Sequence, residues 1–130
     1  MITITDYFLD STTNYKHLPT PEDERNARRL IERVNLLLVH LGLDRKLTSG
    51  HRTRAKTLAM KAQGYGAAIG GTHESAEGID LEDEDGELDD RITDPLLEQF
   101  SLYREHPSAT RRWTHLQTKP PRSGNRSFYP

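Results

Sequence analysis

The chain has no cysteine and no long hydrophobic stretch. With no cysteine among 130 residues, disulfides and thiolate metal ligands are excluded, so any bound metal must be held by histidines and carboxylates. No apolar run approaches the roughly 20 residues that a membrane-spanning helix needs, and we expect no membrane insertion. The first six residues lack the basic and apolar regions of a signal peptide. We therefore expect synthesis in the cytoplasm without a signal peptide.

Charge is nearly balanced overall but unevenly distributed. The formal net charge of -2 gives no general attraction to nucleic acid, and we expect no nucleic-acid partner. Ten acidic residues and no Lys or Arg lie between Glu74 and Asp90, whereas the chain from Arg104 onward is mainly basic. Two interpretations stay open. The segments are either solvated surfaces that attract one another, or the basic one lines a groove for an anionic polymer.

One helix is strongly marked in the first half of the chain. Thr20 is a good N-cap, Pro21 suits the first helical position, and Gly42 is the expected C-terminal stop. Apolar residues recur between these ends with the spacing of a single helix face. They are Leu30, Ile31, Val34, Leu37, Leu38 and Leu41.

The remaining pattern predicts a small α+β domain over residues 1–130, with an antiparallel sheet and flanking helices. The predicted strands are Leu47–Ser49, Ala76–Leu81 and Arg112–Thr118. Two further helices are predicted, one over Arg54–Gln63 and one capped by Asp94. The second has Pro95 at its first position, carries Tyr103 on its apolar face and stops before Pro107. Residues 64–71 form a glycine-rich loop, and residues 119–130 a C-terminal tail beyond a core of about 47–118.

Three of the six histidines stand apart from other chemically reactive residues. His17, His40 and His106 have no partner nearby in the sequence, and we expect them to be ordinary polar residues.

The other candidate residues suit a metal. His73 and Asp80 are seven positions apart, so in one strand they would lie on opposite faces. They can converge only if the chain turns between them, as the small residues Ser75, Ala76 and Gly78 permit. With His115, in the middle of its predicted strand, they offer two imidazoles and a carboxylate, a suitable set for zinc with a fourth position left to water.

Two common metal motifs are excluded. His73-Glu74 is not followed by a second histidine at the helical spacing that zinc proteases require. A calcium loop around Gly86 would need an acidic residue at position 81 and Glu at position 92, where Leu81 and Ile92 stand.

Three motifs together resemble a known family, the M15 zinc peptidases. They are the Ser-Gly-His-Arg-Thr turn at 49–53, the pair His73 and Asp80 with six residues between them, and Trp113-x-His115. The stretch that follows Asp80 is also similar, and the likeness covers about Leu47 to His115. The family comprises D-alanyl-D-alanine carboxypeptidases and dipeptidases and small phage L-alanyl-D-glutamate endolysins, all of which act on peptidoglycan stem peptides.

The resemblance implies that His73, Asp80 and His115 bind Zn2+ on the sheet and that Arg52 stabilises the oxyanion of the substrate carbonyl. An alternative for Arg52 is a salt bridge to the acidic segment. The implied protein is a monomeric phage or prophage lytic peptidase that acts on cell-wall stem peptides after release by another system. It would cleave a bond next to a D-amino acid, as an L-Ala-D-Glu endopeptidase or a D,D-carboxypeptidase.

The sequence also departs from the family. Family members usually have a serine two residues before the first histidine, where this chain has Gly71. Three and five residues after that histidine the family has a glycine and a small residue, and the Ala76 and Gly78 of this chain are mild departures. The general base normally lies two or three residues before the last histidine, where this chain has Arg112 and Trp113, and an arginine cannot accept the proton. Candidate substitutes are Glu74, Glu77, Glu105 and His106.

The missing acid keeps a second hypothesis open. The chain could be a catalytically impaired M15-like module that binds cell-wall peptide or serves a structural role. Its basic tail, Lys119–Arg126, would then suit docking, or would simply be held against the domain.

Overall fold

The computed structural model describes residues 1–130 and has an α+β architecture of five helices and one five-stranded sheet. The helices are α1 (Ile4–Tyr15), α2 (Pro21–Leu41), α3 (Arg54–Ala62), α4 (Glu87–Arg91) and α5 (Asp94–Gln99), and a 3-10 turn covers Pro107–Ala109. The strands are β1 (Leu47–Ser49), β2 (Gly78–Glu82), β3 (Tyr103–Glu105), β4 (Trp113–Gln117) and β5 (Ser127–Phe128). No helix combines the length and apolar character needed to cross a bilayer.

The predicted ends of α2 are confirmed. The side chain of Thr20 accepts from the amide of Asp23, the Asp23 carboxylate accepts from the amide of Thr20, and Gly42 closes the helix in the left-handed conformation. The predicted apolar face is buried except for Leu41, which is partly exposed. This face packs into one continuous core of 17 residues that includes Tyr7 and Phe8 of α1 and the inward side chains of β2 and β4.

The strand order is β1-β2-β4-β3-β5. The pairs β1–β2, β2–β4 and β3–β4 are antiparallel, but β5 lies parallel to β3. The predicted purely antiparallel sheet is therefore wrong in one respect. The sheet is mixed, because the residues after β4 loop back and add a short strand to the outer edge of β3.

Two predicted element boundaries also need correction. The helix predicted to be capped by Asp94 is capped by Thr93, whose side chain accepts from the amide of Leu96, and it ends at Gln99. Ser101 adopts a left-handed conformation that redirects the chain, so Tyr103 lies in β3 instead of on a helix. The strand predicted over Ala76–Leu81 begins only at Gly78, since Ala76 has a φ of 60° within a turn. This turn allows His73 and Asp80 to converge, as the sequence analysis required.

Candidate metal site

The candidate residues lie on the sheet face that points away from the core. In β2, Ile79 and Leu81 are fully buried in the core, so Asp80 between them points to the other face. In β4, Thr114 and Leu116 alternate in the same way with His115. Asp80 and His115 are direct partners across the antiparallel β2–β4 pair, and directly paired residues share a face.

The row of polar side chains formed by Asp80 and His115 continues onto the neighbouring strands on both sides. Ser49 of β1 pairs with Asp80. On the other side, β3 pairs with β4 through Tyr103–Gln117 and Arg104–Leu116, and Glu105, the next residue of β3, lines the same cleft as His115. Four adjacent strands thus contribute polar side chains to this region of the sheet.

His73 reaches this row from the turn before β2. Its Nε2 lies 3.4 Å from Oδ2 of Asp80, and Nδ1 of His115 lies 2.8 Å from Oδ1 of the same carboxylate. The three ligand-type atoms all lie within 4.8 Å of one another. The structure therefore brings the three predicted ligands together.

The second nitrogen of each imidazole has its own acceptor. Nδ1 of His73 lies 2.9 Å from the carbonyl oxygen of Gly50, and Nε2 of His115 lies 2.8 Å from Oε1 of Gln117. In a metal-bound state, donation to these oxygens would leave the opposite nitrogens, which face Asp80, free to coordinate the ion. Gln117 is held in turn, because its amide donates to the carbonyl of Lys119 at 2.7 Å.

The three groups are strongly coupled. Burial opposes ionisation of Asp80, but the charges and hydrogen bonds of His73 and His115 outweigh it and hold the pKa of this carboxyl below its usual range. Burial also opposes protonation of His115, yet the hydrogen bond and charge of Asp80 prevail and raise its pKa. An ionised carboxylate and two imidazoles, each with an acceptor at its second nitrogen, form a group that could hold a metal ion.

Glycines allow this close approach. A side chain on Gly78 would collide with Thr72 and crowd the ring of His115. A side chain on Gly50 would collide with the backbone of Tyr7 in α1. The hydroxyl of Tyr7 also donates to the carbonyl of Gly78 at 2.8 Å, so α1, which the sequence reading missed, supports the site from the core side.

Arg52 lies beside the triad. The amide of Arg52 donates to the carbonyl of His73 at 3.0 Å, and its guanidinium donates to Oγ of Ser49 at 3.2 Å. Its guanidinium forms no salt bridge, so the alternative of an ion pair with the acidic segment does not hold in this structure. Arg52 lines the same cleft as the three candidate ligands.

The four candidates for the general base differ in whether they line the triad cleft. Glu105 lines the cleft with the triad. Glu74 is engaged elsewhere, since it accepts from Nε of Arg54 at 2.7 Å and from the amide of Gly70 at 2.8 Å, and these bonds outweigh partial burial and lower its pKa. Neither Glu77 nor His106 lines the cleft, and the ring of His106 stacks on Tyr129.

Arg112 does not line the triad cleft, but it lines the adjoining cavity together with Arg52, Asp80 and Trp113. It is 79% exposed, has a left-handed φ of 75° and approaches Glu84 at 4.0 Å. This contact and the pair Arg104–Asp89 at 3.4 Å join the acidic segment to the basic part of the chain. The tail is held against the domain by β5 and by the guanidinium of Arg126, which lies 4.3 Å from the centre of the Tyr103 ring.

A second group of metal-ligand residues was not anticipated. His17, expected to be isolated, lies with Asp23 and His51, and their ligand-type atoms are within 4.8 Å of one another. Burial lowers the pKa of His51, whereas the amide of Thr20 and the His17 side chain outweigh burial at Asp23 and lower the pKa of that carboxyl. Two His-Asp-His groups of this chain could therefore hold a metal ion.

No protein-family model, curated protein or solved structure matches this chain.

Proposed function

We propose that the chain is a zinc-dependent peptidoglycan peptidase that hydrolyses a stem-peptide bond next to a D-amino acid. The observation that carries the proposal is the single cleft in which His73, Asp80 and His115 converge beside Arg52 and Glu105. A cation site, an oxyanion donor and a free carboxylate are the groups that amide hydrolysis needs. The resemblance to M15 peptidases supplies the substrate class.

His73, Asp80 and His115 would hold the metal. Zinc, when bound, supplies a Lewis acid for the scissile carbonyl and lowers the pKa of a water molecule to about 7. Gln117 and the carbonyl of Gly50 hold the two imidazoles in the orientation that this role requires.

Arg52 would stabilise the charge that develops on the carbonyl oxygen. Its guanidinium is anchored by the neutral hydroxyl of Ser49 and forms no salt bridge, so its positive charge is not neutralised in the ground state. A fixed cation at the point where negative charge develops favours the transition state over the bound substrate.

Glu105 would act as the general base in place of the missing acid at position 112. Its carboxylate would take a proton from the attacking water and pass it to the leaving amine. Water thus adds across the amide bond, the C–N bond breaks, and a carboxylate and an amine are the products. Glu105 belongs to β3, the strand that pairs with the strand of His115, whereas the family's usual base approaches from within the strand of the last histidine.

The substrate would lie along the cleft. Met60, Tyr65 and Trp113 line this cleft with apolar surface, and Arg52 adds a positive charge that suits the carboxylates of stem peptides. We infer that a single chain suffices and that another system brings it to the cell wall.

The test is digestion of isolated sacculi by the purified, zinc-loaded protein, with mass analysis of the released peptides. We expect new termini at a bond beside a D-residue, and no such termini with a chelator or with His73→Ala. A zinc-loaded chain that binds sacculi without cleaving them would instead support the binding module. A chain that neither binds nor cleaves them would refute both.

A further inference from the structure

The His17, Asp23 and His51 group is built from three separate parts of the chain. His17 lies in the connection between α1 and α2, Asp23 lies in the first turn of α2, and His51 lies in the turn after β1. The two imidazole rings stack with their centres 4.9 Å apart and their planes 24° apart. Residues that are 6 and 28 positions apart along the chain therefore bring one ligand-type atom each to within 4.8 Å of the others.

His51 carries a buried polar atom with no partner. The residue is 3% exposed. Its Nε2 lies 3.2 Å from the carbonyl oxygen of Glu74, while its Nδ1 has no hydrogen-bond partner. Donation from Nε2 to that carbonyl leaves Nδ1 with an unused lone pair, and a buried acceptor without a partner is costly. A cation at this point would satisfy it.

The carboxylate of Asp23 has lone pairs that its present hydrogen bonds do not use. Oδ2 of Asp23 lies 3.1 Å from Nε2 of His17 and accepts from the amide of Thr20 at 3.1 Å. A carboxylate has about four lone-pair positions, and no Lys or Arg forms a salt bridge with Asp23. With neutral imidazoles the group carries one negative charge, which suits a divalent cation.

We propose that His17, Asp23 and His51 form a second metal site, which takes a divalent ion of the zinc class with water completing the coordination. Two imidazoles and one carboxylate favour zinc, cobalt or nickel over calcium or magnesium, whose preferred ligands are oxygens. The site shares no ligand with the triad on the sheet, so it does not rest on the proposed peptidase function.

The ion would tie the helical N-terminal part of the chain to the turn that carries Arg52. The amide of His51 donates to the carbonyl of Tyr7 at 2.9 Å, and the next amide, that of Arg52, donates to the carbonyl of His73 at 3.0 Å. An ion on the His51 side chain adds a third constraint to this segment. Its role is structural, since the unpartnered Nδ1 is buried.

The test is metal stoichiometry on the full chain. Protein stripped with chelator and dialysed is titrated with Zn2+ by calorimetry and with Co2+ by absorption spectroscopy. We expect two ions per chain for the unmodified protein and one for His17→Gln. His40→Gln, which removes an exposed histidine outside both groups, is the matched control and should still bind two.

A second variant tests the site in case His17→Gln does not fold. Asp23→Asn keeps a side-chain oxygen for the amide of Thr20 but removes the charge, and should lower the affinity of one of the two ions at least tenfold. Added Zn2+ should also raise the melting temperature of the unmodified protein more than that of His17→Gln. Circular dichroism of each metal-free variant should match that of the metal-free parent.

The outcomes separate the two sites. If the parent and His17→Gln bind the same number of ions, the second site does not exist and a buried water satisfies His51. If His17→Gln loses one ion while His73→Gln loses none, the second site stands and the proposed peptidase centre falls. Loss of one ion in each single variant, and of both in the double variant, supports both sites.

Discussion

The ring of His115 lies between the side chains of Gln117 and Asp80, with one nitrogen toward each. Oε1 of Gln117 lies 2.8 Å from Nε2 of that ring, and Nδ1 of the same ring lies 2.8 Å from Asp80. Both residues lie on β4, two positions apart and therefore on the same face. Under the proposed function Gln117 would be a positioning residue, which acts on the metal only through His115.

We expect Gln117→Leu to lower zinc affinity about 10- to 100-fold, the usual scale for losing the partner of a metal-binding histidine. Gln117→Glu keeps an acceptor oxygen at the same place and should retain most of the affinity. Competition with a chromophoric chelator measures both. Equal affinity in the Leu variant and the parent would show that the strand alone orients the ring.

The Glu105 carboxylate gives the second prediction. Glu105→Gln removes the proton acceptor but keeps the shape of the side chain, so turnover should fall by about 10²- to 10⁴-fold while the triad keeps its metal. Glu77→Gln, a carboxylate outside the cleft, is the control and should cleave like the parent. Full activity in Glu105→Gln would remove it from the mechanism.

Arg52 gives the third prediction. Arg52→Ala should lower turnover about 100-fold or more, the scale of one lost oxyanion donor. Metal content and melting temperature should hardly change, because the guanidinium makes one side-chain hydrogen bond, to Ser49. Arg29→Ala, on an exposed side chain of α2 outside both cavities that Arg52 lines, is the control. A large fall in stability with unchanged turnover per folded molecule would make Arg52 structural.

Asp89 gives a prediction about pH. Burial raises the pKa of Asp89 to about 6, although the charge of Arg104 opposes the rise. The folded state therefore holds this proton more tightly than the unfolded state, where the pKa is near 3.9. This raised pKa makes the contribution of Asp89 to stability fall as the pH rises from about 4 to 6 and stay low above that.

Asp89→Asn should remove the loss of stability that ionisation of the buried Asp89 carboxyl causes above about pH 4. The variant and the parent should be similar in stability near pH 4, and the variant should be more stable at pH 7.5 by roughly 2 kcal/mol. Urea unfolding at the two pH values measures the difference between the proteins, so the other titrating groups largely cancel. A variant that is less stable at pH 7.5 would mean that the ion pair with Arg104 outweighs burial.

The parts of the fold that the sequence predicted are those with local signals. The caps of α2 at Thr20 and Gly42 and its apolar face are visible in the sequence, and β2 and β4 have recognisable strand segments. Helix α1 was missed because its Thr, Asp, Asn and Tyr residues are weak helix formers. It is stabilised by the Thr3 cap and by burial of Tyr7 and Phe8. Strands of two or three residues, such as β3 and β5, are too short to show a periodicity.

The difference between features with and without a local sequence signal also applies to the two candidate sites. His73, Asp80 and His115 could be proposed because the resemblance supplies their spacing. Glu105 could not be ranked above its rivals, since its place depends on the β3–β4 pairing. His17 looked isolated because His51 reaches it only through the packing of α1 and α2 against the turn after β1, and nothing in the local sequence signals that contact.

The central position of β4 has a consequence for incomplete chains. The strand that carries His115 is the sole link in the sheet between β1–β2 and β3–β5. A chain that ended before Trp113 would leave the outer edge of β2 without its hydrogen-bond partners and Asp80 without one of its histidines. Such an edge invites pairing with another chain. Truncation products of this protein should therefore aggregate, and incomplete chains should lack the triad site.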